Sequence, residues 1–269
     1  MGRFIFLAIL FVAAPLFVAV ANAHDFWLAP QTNSETPEQT SIALLVGHSG
    51  EKQPWAVRSG RIETVLHILG DDRADMTAKT RASIDLNGAM FDVETKTAGT
   101  HIIALESNDA FITLKAKKFN LYVEEEGLTT IRDHREKQNL QSRQGREFYS
   151  RRAKALIQVG DIETDVTKPL GHTLEIVPLV HPRSLRGNEA MPIRVLYNGA
   201  PAPGLIVDLE SLTDGTISEI NVTTDEAGEA LLPLIKEGQW KVDVVWGEPI
   251  DHPKAEYRTV FASLTFGYD

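Results

Sequence analysis

Short apolar-rich runs, each closed by turn-forming residues, dominate this chain. Between residues 24 and 118 they are Ser41–Val46, Ile62–Leu69, Phe91–Thr95, His101–Leu105 and Ala110–Lys115. Gly47, Gly50, Gly70, Asn87-Gly88 and Gly99 lie between or beside them. Several short strands at this spacing predict a sandwich or barrel. Seven more runs follow in the last part of the chain: Thr173–Val180, Met191–Tyr197, Ile206–Glu210, Ile217–Val222, Glu229–Leu234, Trp240–Val245 and Thr259–Phe266. Asn198 to Gly204 is a turn-rich connector, and Thr224-Asp225-Glu226-Ala227-Gly228 is a turn suited to antiparallel strands. Seven short strands in about 110 residues is the strand count of an immunoglobulin-like or transthyretin-like sandwich. The alternation of Gly238-Gln239-Trp240-Lys241-Val242 points Trp240 into the core.

Residues 119–160 break the pattern. Phe119 to Leu128 reads as a helix stopped at Gly127. Thr129 to Gln158 is rich in Arg, Glu, Lys and Gln and lacks proline, which predicts an exposed helical or partly extended insertion leading into a strand near Ala155–Val159. The expected fold is therefore mainly β, with two immunoglobulin-like or transthyretin-like β-sandwich domains, 24–118 and 161–269, joined by a short helical, charged connector.

The first 23 residues follow a different rule. Arg3 is followed by an apolar stretch from Phe4 to Val20, interrupted by Pro15 and closed by Ala21-Asn22-Ala23. This reads as a cleaved secretory signal and implies a periplasmic protein. Cleavage after Ala23 makes His24 the first residue of the mature chain. A terminal histidine carries an imidazole and a free α-amine, two nitrogens able to chelate one metal ion, and the amine's reference pKa of about 7.7–8.0 lets a metal displace its proton near neutrality.

Composition narrows the partners. The formal net charge is −10, which argues against nucleic acid or an anionic membrane surface and suits a protein that handles cations. There is no cysteine, so stability must come from the core. Thiolate zinc sites, iron–sulfur clusters and cysteine nucleophiles are excluded. Any metal must sit on nitrogen and oxygen ligands, a donor set that suits copper, nickel, zinc and cobalt.

Catalytic signatures are missing. There is no His-Glu-x-x-His, no Gly-x-Ser-x-Gly elbow, no phosphate loop and no dinucleotide fingerprint. Asp71-Asp72 and Glu124-Glu125-Glu126 are contiguous carboxylates of the kind found on solvated surfaces. The chain is not expected to be an enzyme.

Eight histidines remain: His24, His48, His67, His101, His134, His172, His181 and His252. His24 is the first candidate ligand. His48 is the second, because it ends a predicted strand between Gly47 and Ser49-Gly50, where an imidazole reaches outward. Asp25 either coordinates directly or orients the chain beside His24. Phe26 and Trp27 anchor a terminus that is otherwise mobile. His101 opens a strand and His252 lies in Asp251-His252-Pro253, and each could approach a terminal site. His67 is expected to face solvent from a strand, His134 to lie in the charged insertion, and His172 and His181 to be at the surface.

Several blocks together resemble a domain-of-unknown-function family labelled periplasmic component of ABC-type cobalt/nickel transport systems. They are His24-Asp25-Phe26-Trp27-Leu28-Ala29-Pro30, Val46-Gly47-His48, Phe119-Asn120-Leu121-Tyr122-Val123 with Glu126-Gly127-Leu128, Arg146-Glu147-Phe148-Tyr149 with Lys154-Ala155-Leu156, Gly171 to Pro178, and the Thr224–Gly228 turn. The resemblance implies an exported β-rich protein with immunoglobulin-like or carboxypeptidase-regulatory-like modules, associated with transition-metal uptake. It favours nickel or cobalt, with an inner-membrane metal transporter as partner; the terminal-histidine chemistry favours copper, and zinc also fits. His24 with a partner such as His48 is also similar to the histidine brace of copper proteins, although the rest of the chain does not resemble the oxidative enzymes. The rival reading is a β-sandwich scaffold that contacts protein or carbohydrate without metal.

Overall fold

The structure is a computed structural model that describes residues 25–31, 38–48, 51–185, 189–213, 220–233 and 237–268. The expected signal segment 1–23 and His24 lie outside these residues, as does the side chain of His48. In chain order the strands are β1 (Asp25–Gln31), β2 (Gln39–His48), β3 (Glu51–Pro54), β4 (Ile62–Leu69), β5 (Asp72–Asp75), β6 (Met90–Glu94), β7 (Gly99–Ser107), β8 (Ala110–Leu114) and β9 (Gly145–Val159). They continue as β10 (Leu174–Pro178), β11 (Ala190–Tyr197), β12 (Ala200–Pro201), β13 (Ile206–Ser211), β14 (Ile220–Thr223), β15 (Glu229–Pro233), β16 (Gly238–His252) and β17 (Ala255–Tyr268). Among the described residues three α-helices interrupt them, α1 (Thr77–Asn87), α2 (Ala116–Glu125) and α3 (Thr129–Lys137).

Among the described residues these strands form three sheets. A central one runs β14-β13-β16-β17-β9-β7-β4-β5, with β8 also paired to β9. It draws strands from both sides of the connector, joined where β17 and β9 run parallel, Leu264 beside Lys154. A small sheet, β1-β2-β3 with β6 on β2, covers one face, and another, β10-β11-β12 with β15 on β11, covers the other. The first layer boundary packs Phe26, Leu28, Ile42, Leu44 and Phe91 against Val65, Ile103, Leu105, Ala153 and Ala155. The second packs Ile176, Met191, Ile193 and Val195 against Ile102, Leu156, Val242, Val244 and Leu264. A strand covered on both faces reads as a near-continuous buried run, which is the pattern of Trp240–Val245. Trp240 is fully buried, as its alternation predicts.

The connector departs from expectation. The predicted helix after Phe119 is present as α2, and Gly127 follows it at φ +61°. The charged stretch beyond is not one exposed insertion. It forms α3 and then β9, a strand that starts ten residues before the expected Ala155. Arg135, Arg151, Arg152 and Lys154 are buried rather than solvated. Arg135 donates to Asn120 Oδ1 and to the carbonyls of Leu140 and Arg143, Arg151 lies among four aromatic rings, Arg152 donates to the Ser107 carbonyl and pairs with Glu106 at 3.3 Å, and Lys154 donates to Glu175 Oε1 at 2.9 Å. Buried charge is tolerated where it is paired in this way.

Candidate functional site

Among the described residues the chain enters the fold at β1. That strand pairs antiparallel with β2, and Asp25 lies opposite Gly47. His48 is therefore the next residue of β2 beyond the partner of Asp25, and His24 precedes Asp25 by one peptide unit of ~3.8 Å. Two sets of contacts hold this end of β1.

On one side Phe26 is buried with its ring 4.6 Å from that of Trp55, edge to face. The guanidinium of Arg151 sits 5.3 Å from the Phe26 ring, 5.5 Å from Trp55, 5.6 Å from Tyr149 and 5.6 Å from Phe261. Burial pulls this guanidinium down to about 10, so it remains charged at neutral pH and is held by the ring faces around it.

On the other side lies a charged cluster. Lys241, in β16, is 1% exposed. Its ammonium donates to Asp25 Oδ2 at 2.6 Å and lies 3.0 Å from Glu210 Oε2 and 2.8 Å from Asp243 Oδ2. It also sits 4.8 Å from the ring of Trp27. Burial opposes the ammonium charge, but Asp243, Asp25 and Glu210 outweigh it and hold the group charged. Burial pushes the Asp243 carboxyl well above the usual carboxylate range, against the pull of Lys241. Three carboxyl groups thus surround one ammonium beside the start of β1. Asp25 is committed to Lys241, so it fixes the chain rather than offering a free metal ligand.

The remaining sequence candidates are elsewhere. Lys241, Thr265, Ala155, Ile103 and His67 share one line across the central sheet. His67 is therefore four strands, roughly 19 Å, from Lys241 at ~4.8 Å per strand. His101 is with His67, not with Asp25: His101 Nδ1 and His67 Nε2 are 2.7 Å apart. His252 lies eleven residues beyond Lys241 along β16, about 36 Å of extended chain, near the turn into β17. There its Nδ1 accepts from Lys254 N at 3.1 Å and its ring packs on Phe148. Neither His101 nor His252 approaches the start of β1.

Three other histidines correct the expectation of solvent exposure. His67 is half-buried against His101. His172 is buried near Glu106, Arg152, Lys154 and Glu175, with its imidazole held down to about 3, first by burial and then by Lys154. His181 accepts at Nδ1 from Arg183 N, so its Nε2 donates to Thr100 Oγ1 at 2.8 Å. His134 does lie in the charged connector, where its Nδ1 is 3.3 Å from the Tyr257 hydroxyl.

Sequence reasoning missed Lys241, Glu210 and Asp243 altogether. The only available signal was a lysine and an aspartate two residues apart in an otherwise apolar strand. Among the described residues no group of three or more histidine or acidic side chains forms a ready metal cage. Among the same residues no helix is long and apolar enough to cross a membrane.

Comparison with known proteins gives a family and little more. A sequence profile described as "Domain of unknown function (DUF4198)" matches residues 21–248. No curated protein matches the chain. Among solved structures, dimeric latent PorU from Porphyromonas gingivalis aligns over 91% of this chain and 20% of its own, at 12% identity and a TM-score of 0.22. This chain spans about one fifth of that protein, and so low a score carries no argument about fold or function.

Proposed function

Because this chain belongs to the DUF4198 family, whose description assigns no activity, we propose from its own residues that it is an exported, periplasmic accessory protein that binds a transition-metal ion for a cobalt/nickel-type uptake system. The ion is cargo. Signal cleavage after Ala23 frees the α-amine of His24, which chelates together with the imidazole of the same residue. His48 supplies a further nitrogen. Nickel and cobalt are the favoured ions, and copper and zinc suit the same donors. The partner that receives the ion is an inner-membrane metal transporter.

The observation that carries this reading is the anchoring of Asp25. A terminal chelate is weak where the terminus is mobile, because ordering it costs entropy. Asp25 is fixed by its ladder to Gly47 and by its bond to Lys241.

The test begins with mass spectrometry of the exported protein's first residue. Protein that starts at His24 is then titrated with nickel, cobalt, copper and zinc beside His24→Ala, His48→Ala and a form with one extra residue ahead of His24. A sharp loss of affinity in all three supports the reading. Equal affinity in every form overturns it.

A further inference from the structure

His67 and His101 come from the neighbouring antiparallel strands β4 and β7 and meet on a diagonal, since His101 pairs with Leu69 and His67 with Ile103. Both side chains leave the central sheet on the face that carries Val65 and Ile103. His101 Nε2 lies 2.8 Å from the Thr97 carbonyl, to which only an N–H can donate. Its Nδ1 is then a bare lone pair, and His67 Nε2, 2.7 Å away, donates to it. The ring planes are 21° apart and their centroids 5.0 Å apart, so the facing nitrogens lie near the line between centroids and the rings meet edge to edge. One ring nitrogen pinned to a backbone carbonyl while the other is left bare is how proteins orient a metal-ligating histidine.

The two rings differ in freedom. His101 is 1% exposed and fixed. His67 is half-buried, and the charges that reach it are those of Glu94 and Lys79, one of each sign. We propose that this pair is a second metal site, in which a divalent transition ion that takes imidazole nitrogen (copper, zinc or nickel) enters between His67 Nε2 and His101 Nδ1. Metal–nitrogen bonds of about 2.0–2.1 Å set the nitrogens roughly 3–4 Å apart, so the His67 ring retreats slightly while His101 stays on Thr97. The proton on His67 Nε2 moves to its Nδ1, and both rings remain neutral. No third histidine or acidic ligand completes the set among the described residues. Water therefore fills the other positions, which makes the site exchangeable rather than structural.

This site does not depend on His24, and the test uses that independence. The protein carrying one extra residue ahead of His24, which blocks chelation by the amine, is titrated with copper, zinc and nickel by calorimetry and by NMR of the histidine rings. One equivalent of ion should bind and shift the His67 and His101 ring signals, and His67→Gln should lower the affinity more than about tenfold. The glutamine amide still donates to His101 Nδ1, so the fold is kept; unchanged far-ultraviolet dichroism and a cooperative melt confirm that. Absence of binding to the extended protein, or undiminished binding to His67→Gln, overturns the proposal. If processed and extended forms titrate alike and only His67→Gln weakens binding, the terminal reading fails and this one stands.

Discussion

Lys241 Nζ donates to Asp25 Oδ2 at 2.6 Å across 216 residues of sequence, tying β1 to the long β16–β17 hairpin. The bond closes a cluster in which Glu210 and Asp243 share the same ammonium. Removing one member of a buried ion pair leaves uncompensated charge, and the usual cost is ~3–5 kcal/mol. Lys241→Met should therefore destabilise the fold by about that amount, read as a lower urea midpoint. Asp25→Asn leaves the lysine two carboxylate partners and should cost less, while still weakening metal binding at the chain start. Metal affinity unchanged in a folded Asp25→Asn protein would break the link between this anchor and the proposed site.

Buried His172 makes the fold sensitive to acid. Its imidazole titrates near 6.5 when unfolded and is held down to about 3 when folded, by burial first and by the positive charge of Lys154 next, with Glu175 opposing. Above pH 6.5 the two states bind the same number of protons at this group. Below it the unfolded chain takes up a proton that the folded chain refuses, so stability falls as the pH drops from 6.5 toward 3. His172→Gln should flatten that part of the pH–stability curve. NMR should find the wild-type ring still neutral at pH 5.

The strand-rich layout was legible because apolar runs and turn residues are local signals. Ile62–Leu69 is strand β4 as expected, and Trp240 is in the core. Helix α1 was not legible: Thr80 and Ile84 are its buried residues, so no apolar stripe announces it. The acceptance of Thr77 N by Asp75 Oδ1 ahead of it was the signal available. The early start of β9 was hidden because Arg151, Arg152 and Lys154 look like a solvated face until their partners are known. At the candidate sites, the role proposed for His24 rests on the sequence pattern around Ala21-Asn22-Ala23 alone. The pairing of His67 with His101 depends on a strand register that spacing does not reveal, and Lys241 gives no local hint that Asp25 is its partner.

The turn at Thr224–Gly228 offers a direct test of local backbone demand. Asp225 Oδ1 accepts from the amides of Ala227 and Glu229, and Gly228 sits at φ +70°. A Cβ there would lie 2.6 Å from the Val195 carbonyl oxygen, which is backbone and cannot swing aside. Gly228→Ala should combine left-handed strain with that clash and cost about 1–3 kcal/mol or more, read by denaturant unfolding.

Glu147 should produce the opposite pH dependence to His172. The side chain is buried in β9, where Thr259 Oγ1 lies 3.3 Å from Oε2. Burial pushes the carboxyl up to about 8, and the hydroxyl's donation only partly offsets this. At pH 7 the folded protein keeps a proton that the unfolded chain releases above its ordinary value of 4.5. Stability therefore falls as the pH rises from 4.5 through about 8, because the carboxylate is better solvated in the unfolded state. Glu147→Gln keeps the shape and the polar contact without the ionisation. Its melting temperature should hold between pH 6 and 9, while that of the wild type declines, and the two curves should diverge most above pH 8. A parallel decline in both would show that Glu147 ionises in the folded protein at no cost, and that some other group sets the alkaline limit.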